Sequence, residues 1–428
     1  MIRHTHTQLV GKGLKRLMRL RGGGSALPGL VVERLDPDFL SRALSDLPHG
    51  VVVISGTNGK TTTTKMVTQL LRAHGMKVFT NPSGSNFTRG IVASLIDKVN
   101  PEGKLDADIA VLELDEAHAV HFVRNIKPRY SLILNVLRDQ LDRFGEIDHT
   151  AKLLQKVVDA TTDGIVLNRE DSLVRALVPD AKSKKKVQYF GLSPALRSLF
   201  PSDAEMHGGK IAKEKLPTQH VGDVILQEME GRSATFSFGT KLQQPVELKI
   251  DGVYNVLNAA GALTLARMIC DTSDKESSAL LHELSEVRPA FGRGEAITIG
   301  DDPLEIVLVK NPSGFRLALR SYTEIPAATM IAINDNYADG RDMSWLWDVP
   351  FESLNPGVAM VSGIRAYDMA LRLQYDLVDV SHVNPDLPEA LNKFIAHTSG
   401  RRRIYCTYTA MLAIRRELAK NYPVEAIE

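Results

Sequence analysis

Residues 51–75 read VVVISGTNGKTTTTKMVTQLLRAHG. The first five form a short β-branched apolar run, the pattern of a strand buried on both faces of a parallel sheet. Gly56-Thr57-Asn58-Gly59-Lys60-Thr61 follows without a spacer. From Thr62 onward Met66, Val67, Leu70 and Leu71 recur on one helical face, and Gly75 supplies a C-terminal stop. Strand, glycine loop and helix together make a phosphate-binding unit. Gly56 and Gly59 let backbone N–H groups approach an anion, and the helix N-terminus adds its dipole. Lys60 is placed to reach terminal phosphates, and the Thr61 hydroxyl to help hold Mg²⁺. The candidate nucleotide-binding residues here are Gly56, Thr57, Asn58, Gly59, Lys60, Thr61 and Thr62. A strict Walker loop would carry glycine at position 54, where Ile54 stands, so the loop is a variant.

Downstream, IAVLELDEAHAV (109–120) reads as a second buried strand ending in Glu113, Asp115 and Glu116. A carboxylate at that strand end can organise Mg²⁺, directly or through water, and Glu113 is the candidate. The same acids also suit the first turn of a following helix. A guanine-nucleotide switch would need Asn-Lys-x-Asp to read its base. Asn392-Lys393 is followed by Phe394 and Ile395, which argues against that class.

The chain has 428 residues, with 52 Lys+Arg against 51 Asp+Glu and a formal net charge of +1. That balance argues against a protein that coats nucleic acid, and no nucleic-acid partner is expected. Two cysteines, Cys270 and Cys406, cannot build a disulfide framework or a four-cysteine zinc site. They fit a reduced compartment, hence a cytoplasmic location. No run approaches the roughly eighteen apolar residues of a membrane span. Residues 1–32 contain no Asp or Glu. Within them Leu9, Leu14, Leu17, Met18 and Leu20 fall near helical spacing among Lys12, Lys15, Arg16, Arg19 and Arg21. A helix packed on the protein body and a helix touching an anionic membrane at its inner face both fit this pattern. Gly22, Gly23 and Gly24 would end it.

GTNGKTTTT (56–64) resembles the ATP loop of the Mur ligases and folylpolyglutamate synthases, which form amide bonds after phosphorylating a carboxylate. Similar elements follow in the family's order: NPSGSNFTRG (81–90), LNVLRDQLDRFGE (134–146), VLNREDS (166–172), DGVYNVLNAAGAL (251–263) and AFGRGE (290–295). The resemblance implies that Asn258 contacts the adenine and that Arg293 reaches the ATP phosphates. Six segments resemble the MurT branch in particular: GGGSALPGLV, GTNGKTTTT, NVLRDQLDRFGE, LVKNPSGF, NDNYADGRDMSWLWD and TYTAML. They span residues 22 to 412. The fold class implied is α/β: a Mur-ligase-like central P-loop domain with a parallel sheet, plus a smaller Rossmann-like α/β C-terminal domain. The expected boundaries are a basic arm at 1–45, the central domain at 46–290 and the C-terminal domain at 291–428. LEIVLVK, AATMIAIND, GVAMVSG and RRIYCTY read as strands of the last. VILQEMEGRSATFSFGT (224–240) reads as a hairpin turning at Gly231.

The resemblance further implies ATP with Mg²⁺, and amidation of the D-glutamate α-carboxylate of lipid II with ammonia from a GatD-type glutamine amidotransferase subunit. Gln140 stands where ordinary Mur ligases carry a histidine, and 309–314 (VKNPSG) replaces their Asp-Tyr-Ala-His-x-Pro segment. The zinc ribbon of many MurT proteins cannot be built here, so no zinc is expected. Cys270 and Cys406 read as structural thiols, so the glutaminase nucleophile must come from the partner. The third member of its triad, an acid, is implied to come from 333–345, with Asp339 or Asp342 favoured and Asp335 also in that segment. Two other functions compete: an amino-acid-adding ligase of the Mur or folylpolyglutamate synthase type, and a noncatalytic ATP-binding scaffold.

Overall fold

Five successive strands carry almost no polar side chain toward either face. They are β1 (Val51–Ser55), β2 (Val78–Thr80), β3 (Ile109–Glu113), β4 (Tyr130–Ile133) and β5 (Gly164–Asn168). All but β2 are buried at every position, which requires helices on both faces of the sheet. The computed structural model describes residues 2–20, 26–81, 86–137, 147–180, 182–200, 216–250, 252–271, 274–288, 293–322 and 326–424. Among them β6 (Lys186–Leu192), β7 (Val224–Glu230), β8 (Ser233–Phe238), β9 (Lys241–Leu242) and β10 (Val246–Glu247) extend the sheet. Its order is β10-β8-β7-β6-β5-β4-β1-β3-β2, with β9 on β8. Strands β1 to β7 run parallel, and the hairpin predicted at 224–240 is β7–β8, turning at Gly231 in the left-handed region.

One face of the sheet is covered by helices Lys60–Ala73 and Val253–Cys270, where Met66, Val67, Leu70 and Leu71 are fully buried. Helices Thr88–Leu95, Glu116–Asn125 and Ile147–Ala160 cover the other. Each such fully buried aliphatic side chain contributes about 1.5–3 kcal/mol. Against the expectation that no run approaches a membrane span, Val253–Cys270 is long and apolar enough to cross one by length and composition, but most of it is buried as the core helix of this layer. Cys270, its last residue, is only partly buried, whereas its apolar helical setting in the sequence predicts a buried thiol; Cys406 is buried.

A second sheet is built from β11 (Arg293–Ile299), β12 (Asp302–Leu308), β13 (Ala328–Ala332), β15 (Met360–Ser362), β17 (Val383–Asn384) and β18 (Arg402–Cys406). Its order is β11-β12-β18-β13-β15-β17. The hairpin partner β11 is antiparallel and the rest are parallel. Strands β14 (Gly357–Val358) and β16 (Asp379–Val380) pair separately. Helices Pro312–Tyr322 and Ala366–Tyr375 pack on one face, Leu387–His397 and Tyr408–Leu418 on the other.

At the chain start, helix Ile2–Leu20 lies against helix Ala26–Leu35, which in turn packs on Thr88–Leu95. That last contact is very close: a Cβ on Gly29 would sit 1.9 Å from the Arg89 carbonyl oxygen. Gly29→Ala is expected to force the two helices apart and destabilise by about 1–3 kcal/mol, read as a lowered melting temperature. The glycine run 22–24 lies outside the described residues.

Candidate functional site

Strand β1 lies between β3 and β4, so the chain leaves it toward one side first and returns to the other. The carboxyl ends at such a switch point open a crevice. The loop 56–60 occupies it. Gly56 (φ 131°) and Gly59 (φ 88°) both adopt backbone conformations that side chains disfavour. Space is short as well. A Cβ on Gly56 would come 2.9 Å from the backbone N and O of Asn135, and one on Gly59 would come 2.1 Å from Asn258 Nδ2. Gly59→Ala therefore combines left-handed strain with displacement of Asn258. Its expected result is nucleotide binding weakened about tenfold or more, measured by titration calorimetry.

Asn135 holds the loop. Its backbone O accepts from Thr57 N at 3.0 Å, its Oδ1 from Asn58 N at 2.8 Å, and its Nδ2 donates to Asn58 O at 2.9 Å. Thr57 Oγ1 accepts from Leu137 N at 3.0 Å. Lys60 is buried and curls over the loop. Its Nζ donates to Gly56 O and to Thr57 O (3.2 Å) and pairs with Glu116 Oε2 at 3.4 Å. Thr61 Oγ1 donates to Glu113 Oε1 at 2.9 Å. The Glu113 backbone is clamped by Asn81, whose Oδ1 accepts from Glu113 N (2.9 Å) and whose Nδ2 donates to Glu113 O (3.0 Å). Asp115 caps helix Glu116–Asn125 by accepting from Ala117 N. The three acids at the end of β3 thus divide: Glu113 meets the Thr61 hydroxyl, Asp115 is a cap, and Glu116 is the counterion of Lys60.

The second sheet closes the crevice. Residue Asn311, fully buried just past β12, forms a reciprocal amide pair with Asn58. Asn58 Nδ2 donates to Asn311 Oδ1 (3.3 Å), and Asn311 Nδ2 to Asn58 Oδ1 (3.1 Å). Asn311 Oδ1 also accepts from Gly314 N at 2.6 Å, at the start of helix Pro312–Tyr322. A cleft remains between the two sheets, lined on one side by Asn58, Gly59, Asn135, Tyr254, Asn255 and Asn258. On the other side it is lined by Val307, Leu308, Lys310, Gly314, Leu317, Ala318 and Tyr322. One wall is amide-rich and the other largely apolar, which suits a flat heteroaromatic group attached to a charged tail.

The loop's donor set suits a polyphosphate. The Thr62 hydroxyl is buried with no hydrogen-bond partner, an orphan that a phosphate oxygen would satisfy. No group of three or more His, Cys, Asp or Glu gathers among the described residues to hold a metal alone. One hydroxyl and one carboxylate nevertheless suit the protein share of a Mg²⁺ site that phosphate and water would complete. Arg293 pairs through its backbone with Val307 at the start of β11; its side chain lies outside what is described. So do Gln140 and most of 134–146. The sequence assigned no individual role to Asn81, Asn135 or Asn311, and did not pair Glu116 with Lys60. Of these only Asn135 sits in an apolar run, LILNVL, where a lone amide signals a buried partner nearby.

The acidic segment 333–348 leaves the carboxyl end of β13. Asp339 is 2% exposed. Its carboxylate accepts from Thr409 N (2.7 Å), Thr409 Oγ1 (2.5 Å) and Asn336 N (3.1 Å). Burial pushes its pKa up, against those hydrogen bonds. Asp335 is ion-paired with Arg365 at 2.7 Å. Asp342 is exposed and accepts from Ser344 N at 2.9 Å, and the hydrogen bonding from Ser344 lowers its pKa. Arg372 pins the following turn by donating to Leu346 O and Val349 O, at 3.3 and 2.6 Å. The turn leaves Trp347 half exposed, edge-on to Tyr375 with ring centroids 5.1 Å apart. Tyr367 and Leu371 are exposed at four-residue spacing before Tyr375 on helix Ala366–Tyr375, which puts the three on one helical face.

Comparison with known proteins follows the same division. The Mur ligase middle domain family matches residues 54–266, and the MurT ligase C-terminal family matches 308–411. "Lipid II isoglutaminyl synthase (glutamine-hydrolyzing) subunit MurT" of Streptococcus pneumoniae is 30% identical, covering 96% of this chain and 96% of its own. The protein of that name from Staphylococcus aureus is 26% identical, over 93% and 94%. Among solved structures, MurF ligase from Thermotoga maritima in complex with ADP gives a TM-score of 0.66 at 17% identity, covering 92% of this chain and 83% of that one. The folylpolyglutamate synthase of Mycobacterium tuberculosis gives 0.60 at 15%, over 90% and 94%. At those identities the likeness concerns the fold.

Proposed function

The chain belongs to the MurT family of Mur-type ligases, and from that membership we propose that it is the synthetase subunit that amidates the D-glutamate α-carboxylate of lipid II. ATP and glutamine-derived ammonia are the co-substrates. A carboxylate does not condense with ammonia at neutral pH, because its carbon is a poor electrophile. One carboxylate oxygen attacks the γ-phosphorus of ATP, ADP leaves with the bonding pair, and an acyl phosphate forms. Ammonia nitrogen then attacks the acyl carbon, inorganic phosphate leaves, and the nitrogen loses a proton to give the amide.

The chain's own groups serve that sequence. The backbone N–H groups of 56–60 and the N-terminus of Lys60–Ala73 bind the phosphates. Lys60 offsets charge on the transferring group. Thr61 and Glu113 would hold Mg²⁺, which supplies charge neutralisation between phosphates. Asn258 and the apolar wall opposite would seat the adenine, with Arg293 reaching the phosphates. The observation that carries this reading is the adjacent pairs Lys60–Glu116 and Thr61–Glu113, directly after the loop residues Asn58 and Gly59 that line the cleft between the two sheets.

No residue among the site groups described is an exposed cysteine, which supports an ammonia source in another chain. The exposed aromatic face beside Asp342 suits a GatD-type glutaminase partner. Asp342, rather than Asp339 with its three internal donors, is the acid offered to the partner's histidine. The test is mass spectrometry of lipid II incubated with this chain, ATP, glutamine and the glutaminase. The expected product is the carboxamide at glutamate. Addition of a whole amino acid instead, with ATP turnover that depends on that amino acid and not on ammonia, would establish the amino-acid-adding reading.

A further inference from the structure

Helix Ile2–Leu20 makes polar contacts with the protein: Thr7 and Gln8 are buried, with Gln8 Nε2 donating to the Ile96 and Val99 carbonyls at 3.2 and 2.8 Å. Gly11 lets the helix approach closely, since a Cβ there would lie 2.8 Å from Val32 Cγ2. Lys15 reaches the Ala93 carbonyl (3.0 Å) and pairs with Asp97. Three apolar residues face out, while Leu14 and Met18 are partly buried: Leu9 is 60% exposed, and Val10 and Leu17 are each 49% exposed. On a helical wheel these three and Gly13 share one stripe, flanked by Lys12 and Arg16. Residues 1–32 contain no carboxylate side chain.

We propose that this outward stripe is a docking surface for an anionic phospholipid bilayer, with Leu9, Val10 and Leu17 entering the headgroup boundary and Lys12 and Arg16 meeting lipid phosphates. The charge decides the occupant. A protein partner for an apolar stripe needs no surrounding cations, whereas an interfacial helix combines apolar burial with attraction to anionic lipid. The anchoring of the opposite face by Gln8 and Lys15 holds the helix as a fixed shelf rather than a free tail.

The test is co-sedimentation of the full chain with vesicles of phosphatidylcholine alone or containing phosphatidylglycerol. Such vesicles hold no ligase substrate, so the result is read independently of the amidation reaction. Binding to the anionic vesicles is expected, weakened by raised salt and weak on neutral ones. Each cation removed in Lys12→Glu/Arg16→Glu should weaken binding about fivefold or more. Leu9→Glu/Leu17→Glu should abolish it. Leu9, Arg16 and Leu17 are exposed and Lys12 is partly exposed, so the melting temperature should move little. Absence of binding to either vesicle would overturn the proposal. So would variants that sediment with lipid as the parent does, or a parent dimer that the leucine variant converts to monomer, which would assign the stripe to a second copy.

Discussion

Lys60→Met is expected to reduce amide synthesis by more than about a hundredfold in kcat, the scale on which one preorganised group acts on developing charge. It should also cost stability, because the structure gives Lys60 a second task. Glu116 is 1% exposed and is paired with Lys60 Nζ at 3.4 Å. Removing the ammonium leaves a carboxylate buried without its counterion, a change worth about 3–5 kcal/mol and a melting-temperature drop of roughly 10 °C. A lost activity alone would therefore not separate catalysis from unfolding. Lys60→Met/Glu116→Gln does separate them. The neutral pair should recover most of the lost melting temperature while synthesis stays absent. A double variant that recovers synthesis would remove Lys60 from the reaction; one that stays unstable would mean the pair is not what the lysine stabilises.

The second large effect is expected on a reaction carried out by another chain. Asp342→Asn should lower glutamine hydrolysis in the assembled complex by as much as ~10⁴, the loss seen when a triad acid that orients an imidazole becomes an amide. Amidation driven by free ammonium should be unchanged. Stability should be unchanged too, because asparagine Oδ1 can still accept from Ser344 N and Asp342 is exposed. Asp339→Asn gives the contrasting result. Its amide NH₂ would face either the Thr409 N–H or the Asn336 N–H and Thr409 hydroxyl donors, costing about 1–3 kcal/mol. Glutamine turnover lost in Asp339→Asn at unchanged melting temperature, with Asp342→Asn active, would reverse the assignment.

The phosphate unit was legible because it is local. Strand, loop and helix lie within 51–75, and the apolar periodicity dictates how they stack. The hairpin at 224–240 was legible for the same reason, a two-periodic pattern around one glycine. What the sequence did not disclose was pairing over long separations. Glu116 reads equally as a metal-organising acid and as the helix-terminal charge it partly is, and only the fold brings it to Lys60. Asn135 sits between two leucine-rich runs with nothing local to say that it threads the loop of a strand eighty residues earlier. Strand β11 escaped recognition because its segment alternates weakly beside the AFGRGE run, and β16 and β17 are too short to carry a period. The choice between Asp339 and Asp342 was open in the sequence because both are flanked by turn-forming residues. The difference between them is the Thr409 side chain, which arrives from the far end of β18.

The pair of amides formed by Asn58 and Asn311 spans 253 positions of chain. A carboxamide is both donor and acceptor, so two facing ones satisfy each other, and the Gly314 N–H on Asn311 Oδ1 fixes which way the pair faces. No other side chain except glutamine offers that complement, and glutamine is a methylene too long for a contact of this length. In mutational terms the two positions therefore behave as one locus. A change at Asn58 takes a partner from the fully buried Asn311 amide, and a change at Asn311 takes one from the partly buried Asn58 amide, so tolerated sequences should retain both asparagines or replace both together. In an alignment of relatives, that joint pattern would be the imprint of the two sheets meeting across the nucleotide cleft.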